Sequence, residues 1–113
     1  MKSISLHRLI CMITIIVPTL TFSSAWAASH NVEMKSISFE PRKIEAKVGD
    51  NVIWQNAAYT QHSATSDEAG VFDTGLIEPK HKSKAVTLSK AGTFFYHCSI
   101  HGKTMHGEIV VKE

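Results

Sequence analysis

The chain has 113 residues, with 12 Lys and Arg, 10 Asp and Glu and 2 cysteines. That length makes one small domain, near the size at which a hydrophobic core alone gives modest stability. Lys2 and Arg8 stand in an opening segment without acids, so charges balance over residues 28–113 and nothing supports nucleic-acid binding.

Lys2, His7 and Arg8 precede an apolar run from Leu9 to Phe22, interrupted by Thr14, Pro18, Thr19 and Thr21. Ser23-Ser24-Ala25-Trp26-Ala27 follows, and Ala25-x-Ala27 fits a leader-peptidase site. Basic, apolar and small-residue regions in that order predict a secretory signal over residues 1–27, cleaved after Ala27. The apolar run is shorter than the ~20 residues a membrane-spanning helix needs, so no stable membrane insertion is expected after cleavage. A retained N-terminal anchor is the alternative. Cys11 lies too early to be a lipoprotein cysteine and leaves with the leader. Cys98 is then the single thiol of an exported chain, with no partner for an internal disulfide. Flanked by histidines, it reads as a metal ligand, with a buried structural thiol as the bland alternative.

Residues 28–113 read as strands. No long stretch keeps a helical apolar period, and Gly or Pro recurs throughout. Val32 to Phe39 alternates weakly, which would put Ile37 and Phe39 in the core. Lys43 to Val48 alternates through Ile44, Ala46 and Val48, and Gly49-Asp50 turns the chain into Asn51 to Asn56, where Val52 and Trp54 share a face. Residues 57–82 loosen into loops and short strands. Ser83 to Ser89 is a further strand carrying Val86 and Leu88. Lys90-Ala91-Gly92 then turns into Thr93 to Cys98, with Phe94, Tyr96 and Cys98 on one side, and Gly107 to Lys112 is the last strand. Many short strands separated by turns predict an all-β, Greek-key sandwich or barrel.

The segment from Tyr96 to Gly107 concentrates ligand chemistry: Cys98 ends a strand, His101 follows in a tight loop, and Met105 leads into the last strand. A loop that returns on itself can bring these three around one point, and His62, 36 residues before Cys98, can reach it from a neighbouring strand end. A thiolate and two imidazoles with a weak thioether suit both Cu(I) and Cu(II), because neither state obtains its preferred geometry outright. Each residue alone has a bland reading: His62 as a surface or satisfied histidine, Met105 as core packing. Their joint spacing favours one copper ion.

Trp54-x-Asn56, His62-Ser63, Phe72-Asp73-x-Gly75, Gly92-Thr93-Phe94-x-Tyr96-His97-Cys98, Cys98-x-x-His101 and Met105-x-Gly107-x-Ile109-Val110 together resemble the plastocyanin and amicyanin branch of the cupredoxins. The resemblance spans nearly all of residues 31–112. It implies a cupredoxin-like Greek-key β-sandwich over residues 28–113 with one type 1 copper, held by His62, Cys98 and His101 with Met105 as axial ligand. Two positions depart from the pattern. Ser63 stands where the family usually has an asparagine that ties the ligand loops together, and serine reaches less far. The Cys98-to-Met105 spacing is one longer than in amicyanin-like loops and one shorter than in plastocyanin-like loops. Cys98-x-x-His101-x-x-x-x-His106 also matches nitrosocyanin, a red-copper relative in which glutamate replaces the upstream histidine. Retention of His62 and the Met105-x-Gly107-x-Ile109 register favour Met105 over His106.

Four protein ligands leave no open position for substrate, so the expected function is a periplasmic, non-enzymatic electron carrier working as a monomer with protein redox partners. A copper storage or delivery protein is the alternative, as are a catalytic copper protein, a zinc site and a purely structural sandwich; a distant thioether is a poor zinc ligand. His30 and His81 read as ordinary surface residues, and Lys103 with the Lys80-His81-Lys82-Ser83-Lys84 patch as rim charges for an acidic partner.

Overall fold

The computed structural model describes residues 12–21 and 26–113. Lys2, His7, Arg8, Cys11 and Ala25, on which the expected signal partly rests, lie outside the described residues. Residues 12–21 are exposed and without regular structure. Among the described residues, no helix is long and apolar enough to cross a membrane.

Among the described residues there are eight strands: β1 Ser29–Met34, β2 Phe39–Glu40, β3 Lys43–Lys47, β4 Asn51–Asn56, β5 Thr65–Ser66, β6 Val86–Thr87, β7 Gly92–Cys98 and β8 Gly102–Lys112. They form two four-stranded sheets, ordered β2-β1-β4-β6 and β3-β8-β7-β5. The pairs β1–β4 and β3–β8 are parallel and the rest antiparallel. The chain crosses repeatedly between layers before closing with the β7–β8 hairpin, so the all-β sandwich expected from the sequence is the architecture found.

Period-two burial builds the core between the layers. β4 buries Val52, Trp54 and Asn56, and β7 buries Phe94, Tyr96 and Cys98. Each large apolar side chain fully buried contributes ~1.5–3 kcal/mol relative to exposure. Tyr96 is the hub. Its ring lies 4.6 Å from that of Phe39, 5.5 Å from Trp54 and 5.8 Å from Phe72, and burial pushes its hydroxyl up to about 12.

Three expectations are corrected. Ile37 is 57% exposed, because the chain turns at residues 35–38, closed by Lys35 N–H donating to Ser38 O, and the alternation breaks there. Val48 is 44% exposed, because β3 ends at Lys47 and the next residues form the turn into β4. The last strand begins at Gly102 rather than Gly107, so Met105 stands within β8.

His30 is not an idle surface residue. Its Nε2 lies 2.9 Å from Asp50 Oδ2, and Asp50 also accepts from the backbone N–H of Lys47 and of Ala28, each at 2.9 Å. The His30 bond and then the two amides hold the Asp50 carboxyl down at about 2. This buried carboxylate fastens the start of β1 to the β3–β4 turn.

Candidate metal centre

Cys98, the last residue of β7, is buried among the core side chains by the parity that also buries Phe94 and Tyr96. Beyond it, residues 99–101 turn, and Gly102 at φ +59 takes the left-handed conformation that starts the return as β8. His101 projects from this turn and is half-buried.

His62 comes from the segment between β4 and β5. It is fully buried, and its backbone pairs with Ile77: Ile77 N–H donates to His62 O at 2.7 Å and His62 N–H to Ile77 O at 3.3 Å. Asn56, fully buried at the end of β4, organises the intervening loop. Its Nδ2 donates to Thr60 O at 2.8 Å and Ile77 O at 2.9 Å, and its Oδ1 accepts from Ala58 N–H at 2.9 Å. One amide side chain thus ties together both segments that place His62.

The three side chains meet. Ligand atoms of His62, Cys98 and His101 all lie within 4.8 Å of one another. His62 Nδ1 is 3.6 Å from Cys98 Sγ, and the two imidazole centroids are 5.1 Å apart. Two donors on one first-row ion, with M–S near 2.3 Å and M–N near 2.05 Å, stand about 3.5–3.8 Å apart for tetrahedral to trigonal angles. The observed separation falls in that range, so the pair is spaced for a shared ion. His101 Nε2 is buried with no hydrogen-bond partner among the described residues, an orphaned group of the kind a ligand satisfies. Burial, and then the charge of His101, lowers the His62 pKa, which favours the neutral imidazole a metal requires.

The environment of the thiol is built by Ser63. Its backbone N–H approaches Cys98 Sγ at 3.5 Å. Its Oγ accepts from Ser99 N–H at 2.9 Å, donates to Ser99 Oγ at 2.9 Å and lies 3.0 Å from Thr65 Oγ1. The brace between the His62 and Cys98 segments therefore exists despite the short side chain: Ser99 supplies the reach from the other loop. Ser99 and the loop-organising role of Asn56 are the parts that sequence reading missed. A polar residue at the end of the apolar β4 pattern was the available signal.

Met105 is fully buried in the core cluster that contains Cys98. Positions 105, 107, 109 and 111 of β8 face inward, while His106 faces solvent with its Nδ1 2.8 Å from Lys103 O. Strand parity thus puts these two neighbours on opposite faces. Met105 is on the centre's side of the sheet and His106 is not.

A family model for the cupredoxin-like domain matches residues 8–111. The chain belongs to the cupredoxin-like family. It is 30% identical over 84 residues to amicyanin of Paracoccus denitrificans, an alignment covering 72% of this chain and 63% of that protein. It is 34% identical over 88 residues to a chloroplastic plastocyanin of Fritillaria agrestis, covering 67% and 53%. The alignments thus span less than two thirds of the length of both relatives. Among solved structures, a Cu(I) form of an amicyanin variant superposes with a TM-score of 0.67 at 26% identity, covering 79% of this chain and 87% of that one.

Proposed function

We propose that this chain is an exported, single-electron carrier that binds one copper ion through His62, Cys98 and His101, with Met105 as the weak axial donor. The observation that carries this reading is the convergence of one thiol and two imidazoles within 4.8 Å at the end of a cupredoxin sandwich. Bound copper supplies one-electron exchange between Cu(I) and Cu(II), and this mixed donor set suits both states.

The protein's contribution is to keep the donors where they are. Cys98 and Met105 stand on paired strands, His62 is fixed through Ile77 and Asn56, and Ser63 locks the two ligand segments together. Few groups need to move when the charge at the centre changes, which keeps reorganisation small. His62 and Cys98 are buried while His101 is half-exposed, so His101 is the ligand nearest solvent and the route for electrons. Four protein donors leave no position for substrate, which supports a carrier over an enzyme. The exposed Ile100 beside His101 offers a contact for protein redox partners, with Lys82, Lys84 and Lys103 as rim charges that steer encounter.

Residues 1–27 act as the secretory signal and residues 28–113 as the type 1 copper domain, a monomer in the periplasm. The seating of Ala28 supports that boundary. Its N–H donates to Asp50 Oδ1 at 2.9 Å, and its carbonyl accepts from Asn51 N–H at 2.9 Å, so Ala28 is tied to the sandwich.

The test is metal loading of the purified protein. One equivalent of copper should give an intense sulfur-to-copper absorption that bleaches reversibly on reduction, and Cys98→Ser should abolish it. Stoichiometric copper without that absorption overturns the type 1 assignment. Release of copper upon reduction points instead to delivery.

A further inference from the structure

His97 and His106 are direct partners across the antiparallel β7–β8 pair. Both sit at the outward positions of their strands, opposite in parity to Tyr96, Cys98, Met105 and Gly107. Residues so paired have Cβ atoms about 4.5–5.5 Å apart on one face of the sheet, close enough for two imidazoles to share an ion.

The ring nitrogens are arranged alike. His97 Nδ1 lies 2.5 Å from Asp67 Oδ1, and His106 Nδ1 lies 2.8 Å from Lys103 O. A carboxylate and a carbonyl can only accept, so both rings donate Nδ1–H and their neutral forms carry the free lone pair at Nε2. Among the described residues neither Nε2 has a hydrogen-bond partner, and neither is sealed from water. Metal-ligating histidines have this pattern, with the distal N–H held by a carboxylate or carbonyl that fixes the tautomer and raises basicity.

We propose that His97 and His106 form a second, solvent-facing site for a borderline divalent cation such as Zn(II), with two Nε2 donors from the protein and water completing the shell. Asp67 and the Lys103 carbonyl are its positioning groups. The Lys103 side chain borders the same recess as Asp67, Phe95 and His106. Its ammonium opposes cations held by charge alone, so the site selects ions with imidazole affinity over calcium or magnesium. The site lies on the residue before Cys98 but on the other face of the sheet, so it is separate from the buried donor cluster.

The experiment is calorimetric titration of the copper-loaded protein with Zn(II). One further equivalent should bind. His106→Ala and His97→Ala should each lose that saturable binding, and Asp67→Asn should weaken it about 10- to 100-fold by freeing the His97 ring. His81→Ala is the control: its Nδ1 is also tied, 2.9 Å from Pro79 O, yet it is not part of the cross-strand pair. Its loss should change nothing. No additional equivalent in the wild type, or binding undiminished in His106→Ala, overturns the proposal. So does equal loss in His81→Ala. A Cys98→Ser, His62→Ala variant should keep the surface equivalent after losing the buried centre, so failure here is distinguishable from failure of the copper reading.

Discussion

Gly107 is the position where one methyl group should do most damage. A Cβ there would stand 2.3 Å from Tyr96 Cζ, 2.5 Å from its hydroxyl oxygen and 2.7 Å from Cε1. Carbon–carbon contacts settle near 3.5–4.0 Å, so Tyr96 or the β8 backbone must retreat by about 1 Å or more. Tyr96 has nowhere to go, being fully buried against Phe39, Trp54 and Phe72. β8 is equally constrained, paired with β3 on one side and β7 on the other. Overpacking commonly costs ~1–3 kcal/mol, and a site unable to yield lies at the upper end or beyond. At ~4–8 °C per kcal/mol for a domain of this size, Gly107→Ala should lower the melting temperature by about 12 °C or more. Thermal unfolding of the apo protein by circular dichroism measures this. Tyr96→Leu should cost less in the Gly107→Ala background than in the wild type, because the two positions couple through that one contact. A loss below about 1 kcal/mol for Gly107→Ala would refute the steric reasoning.

Three further outcomes can be measured. Ser63→Ala removes the acceptor of Ser99 N–H, and should destabilise the apo protein by ~1–3 kcal/mol in denaturant titration; copper affinity should fall about 10- to 100-fold. The Asp50 carboxyl sits at about 2 in the fold against its usual 3.8. Its contribution is therefore complete above pH 3.8 and is lost as pH falls toward 2, so the melting-temperature gap to Asp50→Asn should be constant near neutrality and close across that acid window. Met105→Leu should retain copper and colour while shifting the reduction potential, and His106→Ala should leave the visible spectrum unchanged; the reverse pattern refutes the axial assignment.

The two sheets were legible where alternation runs uninterrupted. In β4 and β7 the apolar parity places Val52, Trp54, Phe94, Tyr96 and Cys98 inside as read. It failed at Ile37 and Val48 for a common reason: hydrophobic identity was carried past the end of a strand into a turn, where parity no longer assigns a face. It failed in the opposite sense at the start of β8. Gly102-Lys103-Thr104 shows no apolar alternation, so nothing in composition reveals that the strand extends back to Gly102. The pairing with β7, with its irregularity between His97 and Cys98, imposes it.

That missing stretch of strand explains why Met105 and His106 competed as readings of the sequence. Spacing from Cys98 admits both residues, since a flexible loop could deliver either one. Once positions 102–112 form one strand, adjacent residues must point to opposite faces, and the alternatives become exclusive. Met105 shares the inward parity of Gly107, Ile109 and Val111, whereas His106 shares the outward parity of Glu108. His62 is the converse case. Its residue type was readable, but its position depends on pairing with Ile77, 15 residues on, and on Asn56, which holds Ile77, and neither carries local periodicity. The candidate thiol and imidazoles were therefore visible as chemistry before their geometry was. The geometry arises from one buried amide, one backbone bridge and the parity of one long strand.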